Sequence, residues 1–209
     1  MPNLRELKTD GRINLLLNIA YNALQRPEQN VIVVSRRLGV EQVGWGLLSL
    51  AAQSDFNALT EVQRAEILEK ENLKEWEKAL FCFNGWNINL NNLYNTCVKI
   101  RKKGEEATVI FDGLEVFSDE EGGYGDCAEL LQRLSSFARK SHVGLAVLLD
   151  PKTPQWQKRA EANASWAEFS FAGQNGSSVK AEGSWSGRHG NPRAIAAQWD
   201  IQSGSGMLK

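Results

Sequence analysis

The chain has 209 residues, 42% hydrophobic and 23% charged, and its 24 basic and 25 acidic side chains leave a formal net charge of −1. That length buries one large core or two small ones, the composition is ordinary for a globular protein, and the charge balance excludes a global electrostatic case for nucleic-acid or membrane binding while leaving a local basic patch open. Cys82, Cys97 and Cys127 are too few and too scattered for a disulfide framework, so reduced thiols are expected, and with only His142 and His189 beside them a zinc site is not.

Residues 1–10 read as a polar tail without the apolar core of a signal peptide. Apolar residues at helical spacing then predict a helix from Ile13 to Leu24. Arg26-Pro27-Glu28-Gln29-Asn30 is a turn, and Val31-Ile32-Val33-Val34 a buried strand ending at Ser35-Arg36-Arg37. A second helix is expected from Val40 to Ala52. Asp55 to Lys78 is charged and helical, with breaks near Thr60 and Asn72. Thr60 followed three residues later by Gln63 has the form of a capping box.

Leu80 to Phe83 is a short candidate strand, and a helix starting at Asn89 runs to about Lys103. Glu105 to Phe117 follows, with the β-branched run Ala107-Thr108-Val109-Ile110-Phe111 at its centre. It reads as a strand buried on both faces. Ser118 to Gly125 is an acidic, glycine-rich loop. Cys127 to Ser141 is a helix with the stripe Leu130, Leu131, Leu134 and Phe137, and Val143 to Leu149 a further buried strand.

From Trp166 onward short alternating segments separated by Gly, Asn and Ser predict a strand-rich end, and 203–209 read as a disordered tail. The longest apolar stretches are far shorter than a membrane span, so a cytoplasmic protein with no membrane partner is expected. Seven tryptophans spread along the chain suit core and interface anchors. Strands alternating with helices give an α/β fold, a mostly parallel sheet with helices on both faces, read as a single domain over 11–202.

Asp112 ends the Ala107–Phe111 run. An acidic side chain there sits where open α/β sheets place their ligand chemistry, the position of a Walker B aspartate that holds Mg²⁺ beside a nucleotide. A strand-end Asp capping the next turn is the alternative. Such an aspartate predicts a phosphate loop G-x-x-x-x-G-K-[ST] before the first helix. The corresponding stretch is Glu6-Leu7-Lys8-Thr9-Asp10-Gly11-Arg12-Ile13, in which only Gly11 fits. Glu6 replaces the first glycine. Arg12 keeps the charge of the lysine but not its compact ammonium, and Ile13 has no oxygen for a metal.

Gly11-Arg12-Ile13, LLLNIAYNAL and VIVVSRRLGVEQVGWGLLSLAA, in that order, resemble the motor domain of DnaB-type replicative helicases, a RecA-like ATPase. LKEWEKAL resembles that family's helical insert, and ATVIFDGLEVF its Walker B strand. CAELLQRLSSFARKSHVGLAVLLD resembles the next helix and sensor strand, and WSGRHGNPRAIAAQWDI the closing arginine-finger segment and last strand. The resemblance covers nearly all of 10–200 and lies in order and spacing. It implies a RecA-like three-layer sandwich.

Against the family's pattern, Arg37 stands at the catalytic Glu, Asp150 at the sensor Gln and Ser186 at the Lys before the finger. Asp112 and the finger-like Arg188 keep their chemical type. Phosphoryl transfer rests on positioning and charge neutralisation, so these losses imply a degenerate domain that acts by binding a helicase, itself or DNA. No cofactor is then expected, and ATP with Mg²⁺ is disfavoured. The alternative is a weak NTPase, or a helicase subunit lending Arg188 to a neighbour's site. Arg188 is otherwise a surface hairpin tip.

Lys152, Trp156, Lys158 and Arg159 could meet single-stranded DNA, or form a solvated helix face with a packed Trp. Arg36-Arg37 suits an anion, or a pair with a carboxylate such as Glu41; both readings stay open.

Overall fold

A computed structural model describes residues 11–54, 56–70, 73–84, 88–113, 117, 127–148, 166–174, 178–186 and 193–200. In chain order the elements are α1 (Gly11–Leu24), β1 (Gln29–Ser35), α2 (Val40–Ala52), a 3₁₀ turn (Phe56–Ala58), α3 (Glu61–Lys70), α4 (Leu73–Ala79), β2 (Leu80–Asn84), α5 (Leu90–Lys102), β3 (Glu106–Phe111), α6 (Cys127–Ser141), β4 (Gly144–Val147), β5 (Trp166–Gln174), β6 (Ser178–Ser186) and β7 (Arg193–Asp200). They fall into two compact units, one of residues 22–39 and 79–164, the other of 1–21, 40–78 and 165–209.

The first unit is built on a four-stranded sheet ordered β2-β1-β3-β4, with every neighbouring pair parallel. Val31 to Val34 offers no polar face, so the strand must be covered on both sides, and β1 is buried at every position. Its neighbour β3 runs in register, with Ile32 beside Val109 and Val34 beside Phe111. The predicted strand Val143–Leu149 is shorter here. β4 starts with exposed Gly144 and is otherwise half-buried, because it ends the sheet among the described residues and has a strand on one side only.

Helices α5 and α6 pack on one face of this sheet. Asn89 caps α5, its side chain accepting from the Asn91 N–H at 2.8 Å. Leu93, Cys97 and Ile100 then recur at intervals of four and three residues, a single helical stripe. Together with Leu130, Leu134 and Phe137 of α6, they bury Ile32, Val34, Val109 and Phe111. A fully buried residue such as Leu93 contributes about 1.5–3 kcal/mol through removal from water.

The second unit holds most of α1, with α2, α3, α4 and an antiparallel sheet ordered β5-β6-β7. The strand-rich end expected after Trp166 is this sheet. The capping box forms as predicted: Gln63 Oε1 accepts from the Thr60 N–H and hydroxyl at 3.0 Å each, and the Gln63 N–H donates to Thr60 Oγ1 at 3.3 Å. Buried Tyr21 and Trp76 meet edge to face at 5.7 Å. α1 and α2 approach closely at Gly46, where an added Cβ would come within 2.5 Å of Leu17 Cδ1.

Candidate functional site at the carboxyl end of the parallel sheet

From β1 the chain crosses to β2 on one side, then passes back beyond β1 to reach β3 on the other. The carboxyl ends of β1 and β3 therefore flank the switch point of the sheet, the place where open α/β folds leave a crevice. Two polar side chains arrive there by register. Val34 pairs with Phe111, so the next residues, Ser35 and Asp112, stand side by side. The Asp112 N–H donates to the Val34 carbonyl at 2.9 Å, which extends the ladder by one step and fixes the carboxylate over the strand end.

Asp112 is completely buried, and its charge is met by Arg37. Arg37 Nη2 donates to Oδ1 at 2.8 Å and Nε to Oδ2 at 3.1 Å, the planar two-point pairing that a guanidinium makes with a carboxylate. Ser35 Oγ–H donates to the same Oδ2 at 2.8 Å. Ser35 Oγ in turn accepts the backbone N–H groups of Arg37 and Leu38, each at 3.0 Å. The turn after β1 is thus wrapped around a serine oxygen, and this wrapping brings Arg37 back over the neighbouring strand. Arg37 keeps 29% of its side chain in solvent, so the cluster lies at the surface of the unit with its acid innermost.

This arrangement decides between the two readings of Arg36-Arg37. Arg37 pairs with a carboxylate, and that carboxylate is Asp112 rather than Glu41. It also bears on a metal. A Walker B aspartate must turn its oxygens toward a hydrated Mg²⁺. Here both oxygens receive a guanidinium and one also a hydroxyl, so the residues as arranged do not fit the ion. Among the described residues no group of His, Cys, Asp and Glu side chains is placed to hold a metal.

The other predicted site residues do not join this cluster. Gly11, Arg12 and Ile13 form the first turn of α1 and belong to the second unit, with Ile13 buried. Lys152, Trp156, Lys158, Arg159, Asp150 and Arg188 lie outside the described residues; Ser186 closes β6. Of the cysteines, Cys97 is buried and Cys82 partly so, and loss of solvation pushes both thiols up to about 11. They are inert packing groups near neutral pH. Among the described residues no helix is long and apolar enough to cross a membrane.

No family model and no curated protein matches the sequence. Solved structures do match. A DnaB-like replicative helicase, described with its interactions with primase, aligns with 95% of this chain at a TM-score of 0.69 and 12% identity. A helicase ATPase domain aligns with 99% at a TM-score of 0.71 and 12% identity, over 81% of its own length.

The fold is that of a DnaB-type, RecA-like ATPase domain. A KaiC-like protein from the hyperthermophilic archaeon Pyrococcus horikoshii shares it more distantly, with a TM-score of 0.59 and 11% identity over 95% of this chain and 84% of its own. The chain spans 56% of the length of the DnaB-like helicase it matches.

Sequence reasoning placed Asp112 at the strand end but missed Ser35 and missed Arg37 as the partner of Asp112. The signal was present in part. Two strands of similar length, each ending in a polar residue, bring those residues together if they are neighbours in register. Nothing local says that they are neighbours.

Proposed function

We propose that this chain is a DnaB-like, RecA-fold module of DNA replication or related DNA metabolism that acts by binding, to a helicase, to copies of itself or to DNA, and does not hydrolyse ATP. The observation that carries this reading is the Arg37–Asp112 pair. A permanent cation on the protein neutralises the carboxylate that a motor of this fold needs for Mg²⁺. The residue that supplies it stands where the resembling family keeps its water-orienting carboxylate, so one replacement removes a general base and covers a metal ligand.

The first turn of α1 supports the same reading. Ile13 offers a buried hydrocarbon where a hydroxyl would be required, and Arg12 stands in place of the phosphate lysine. Losing a single transition-state contact of this kind typically lowers turnover by about two to three orders of magnitude, and several are lost here. Such a chain keeps a rigid, ring-type scaffold on which binding surfaces can be mounted.

The test is a titration of the full chain with Mg·ATP to millimolar concentration, alongside phosphate release. No saturable binding and no release are expected. Saturable binding with phosphate release from the chain alone would overturn the reading. Phosphate release that exceeds that of an intact replicative helicase only when the two are mixed would instead assign this chain a donor role through Arg188.

A further inference from the structure

The opposite edge of the parallel sheet carries a second feature, independent of the pocket at the carboxyl end. β3 and β4 are parallel neighbours with Thr108 beside Gly144. α5 feeds β3 and α6 feeds β4, and both helices lie on the same face of the sheet. Their last turns therefore end side by side at the amino edge, on helix axes about 8–10 Å apart. Each helix closes through a residue in the left-handed region. Gly104, at φ +83°, donates its N–H to Arg101 O at 2.9 Å. His142, at φ +53°, donates to Arg139 O at 3.4 Å while the Val143 N–H reaches Ala138 O at 3.2 Å.

Such closures stop both helices abruptly and leave their terminal side chains in solvent. On α5 and its cap these are Lys99, Arg101, Lys102 and Lys103; on α6 they are Arg139 and Lys140, all exposed. His142 is exposed between the two groups. The carboxylates of this edge are Glu28, Glu105 and Glu106. Glu105 is held by Asn30, whose Nδ2 donates to its Oε2 at 3.0 Å.

The helix dipole favours a cation or two at a C-terminus. It does not account for the density here, because α1 and α2 have no basic residue in their last turns. In a chain of net charge −1, cations have been gathered at one edge.

We propose that this amino edge binds the phosphate backbone of duplex nucleic acid without regard to sequence. Composition selects the partner. Protein interfaces are anchored by apolar or aromatic groups at their centre. The exposed large apolar residues among those described are Val40, Trp45, Val62, Leu68 and Tyr94, and none lies at this edge. Tyr94 is the nearest in sequence, seven residues before Arg101 on α5, roughly 10 Å along the helix. A surface of lysine and arginine without an aromatic platform reads phosphates. It lacks what holds unstacked bases, so a duplex fits better than a single strand.

Fluorescence anisotropy of a labelled mixed-sequence duplex of roughly 20 base pairs tests this across a salt series. Binding is expected at low salt, with affinity falling about −0.9 in log–log slope for each phosphate neutralised. Arg101→Gln/Lys102→Gln/Lys140→Gln is expected to weaken it by at least about tenfold and flatten the slope. Lys78→Glu on α4, exposed in the other unit, is expected to leave binding unchanged.

Circular dichroism of the neutralised variant establishes that it is folded, and single Gln variants giving proportionate losses provide a second reading. Three results overturn the proposal: no binding of the unaltered chain at low salt, equal loss in Lys78→Glu, or displacement of the duplex by poly-glutamate at equal charge concentration, which would assign the edge to an acidic protein segment. None of these outcomes depends on whether the chain binds ATP.

Discussion

The two ends of the parallel sheet handle positive charge in opposite ways. At the carboxyl end one arginine is drawn onto a completely buried aspartate and held at two points. At the amino end lysines and arginines stand in water on the closing turns of two helices. An ion taken out of water must have a partner of opposite charge at hydrogen-bond distance, and that requirement makes the carboxyl end a single closed arrangement. The solvated charges need no partner and remain available to an outside one. The same side-chain chemistry is therefore structural at one edge and a binding surface at the other.

Removing one charge at each edge should break this contrast if it is wrong. Arg37→Met strands the buried Asp112 carboxylate and is expected to lower stability by roughly 3–5 kcal/mol in urea unfolding. Arg37→Met/Asp112→Leu, which removes both charges, should recover most of that loss. A cost for Arg37→Met within about 1 kcal/mol would show that the pair does not hold the strand ends together.

The second test concerns the core between the two edges. Cys82 and Cys97 have thiols raised from 9.0 to about 11 by loss of solvation. The unfolded chain gives up these protons first, so their contribution is complete below about pH 9 and lost as pH rises through about 11. Stability should fall by on the order of 1 kcal/mol per thiol by about pH 10. Cys82→Ala/Cys97→Ala should remove that part of the slope; an unchanged slope would show that the thiols are not desolvated.

A smaller effect separates the two helix closures at the amino edge. Gly104→Ala places a Cβ at φ +83° and is expected to cost about 1 kcal/mol, although the space around it is open. His142→Gly relieves the same backbone conformation and should gain about 0.5–1 kcal/mol in thermal unfolding. Equal and opposite shifts would identify the two turns as the same device built with different residues.

The smallest change is expected for Arg101→Gln, within about 0.5 kcal/mol. Set beside Arg37→Met, it gives the difference between a charge in water and a charge in the fold. A loss comparable to that of Arg37→Met would mean that Arg101 is a structural group and not a free surface cation.

Much of the architecture was legible in residue order. The Val40–Ala52 and Cys127–Ser141 helices have the bounds their periodicity predicts, and the capping box at Thr60 marks the start of α3. Those features depend on neighbours within a turn or two, so local spacing encodes them. Burial of β1 was legible too, since an unbroken β-branched run has no face to give to water. The half-buried β4 was not, because its exposure follows from its place at the end of the sheet and not from its own residues.

The sequence by itself determined where the strands and helices lie, that the sheet is parallel, and that an acid stands at the end of the Ala107–Phe111 run. Only the tertiary structure decided what that acid does. Arg37 and Asp112 are 75 residues apart in sequence. They meet because β1 and β3 are neighbours in one particular register, with Val34 beside Phe111. Strand order and register come from the packing of every element at once, and no stretch of chain carries them alone. The same holds at the opposite edge, where two helix ends with ordinary basic residues become one charged surface because β3 and β4 lie side by side.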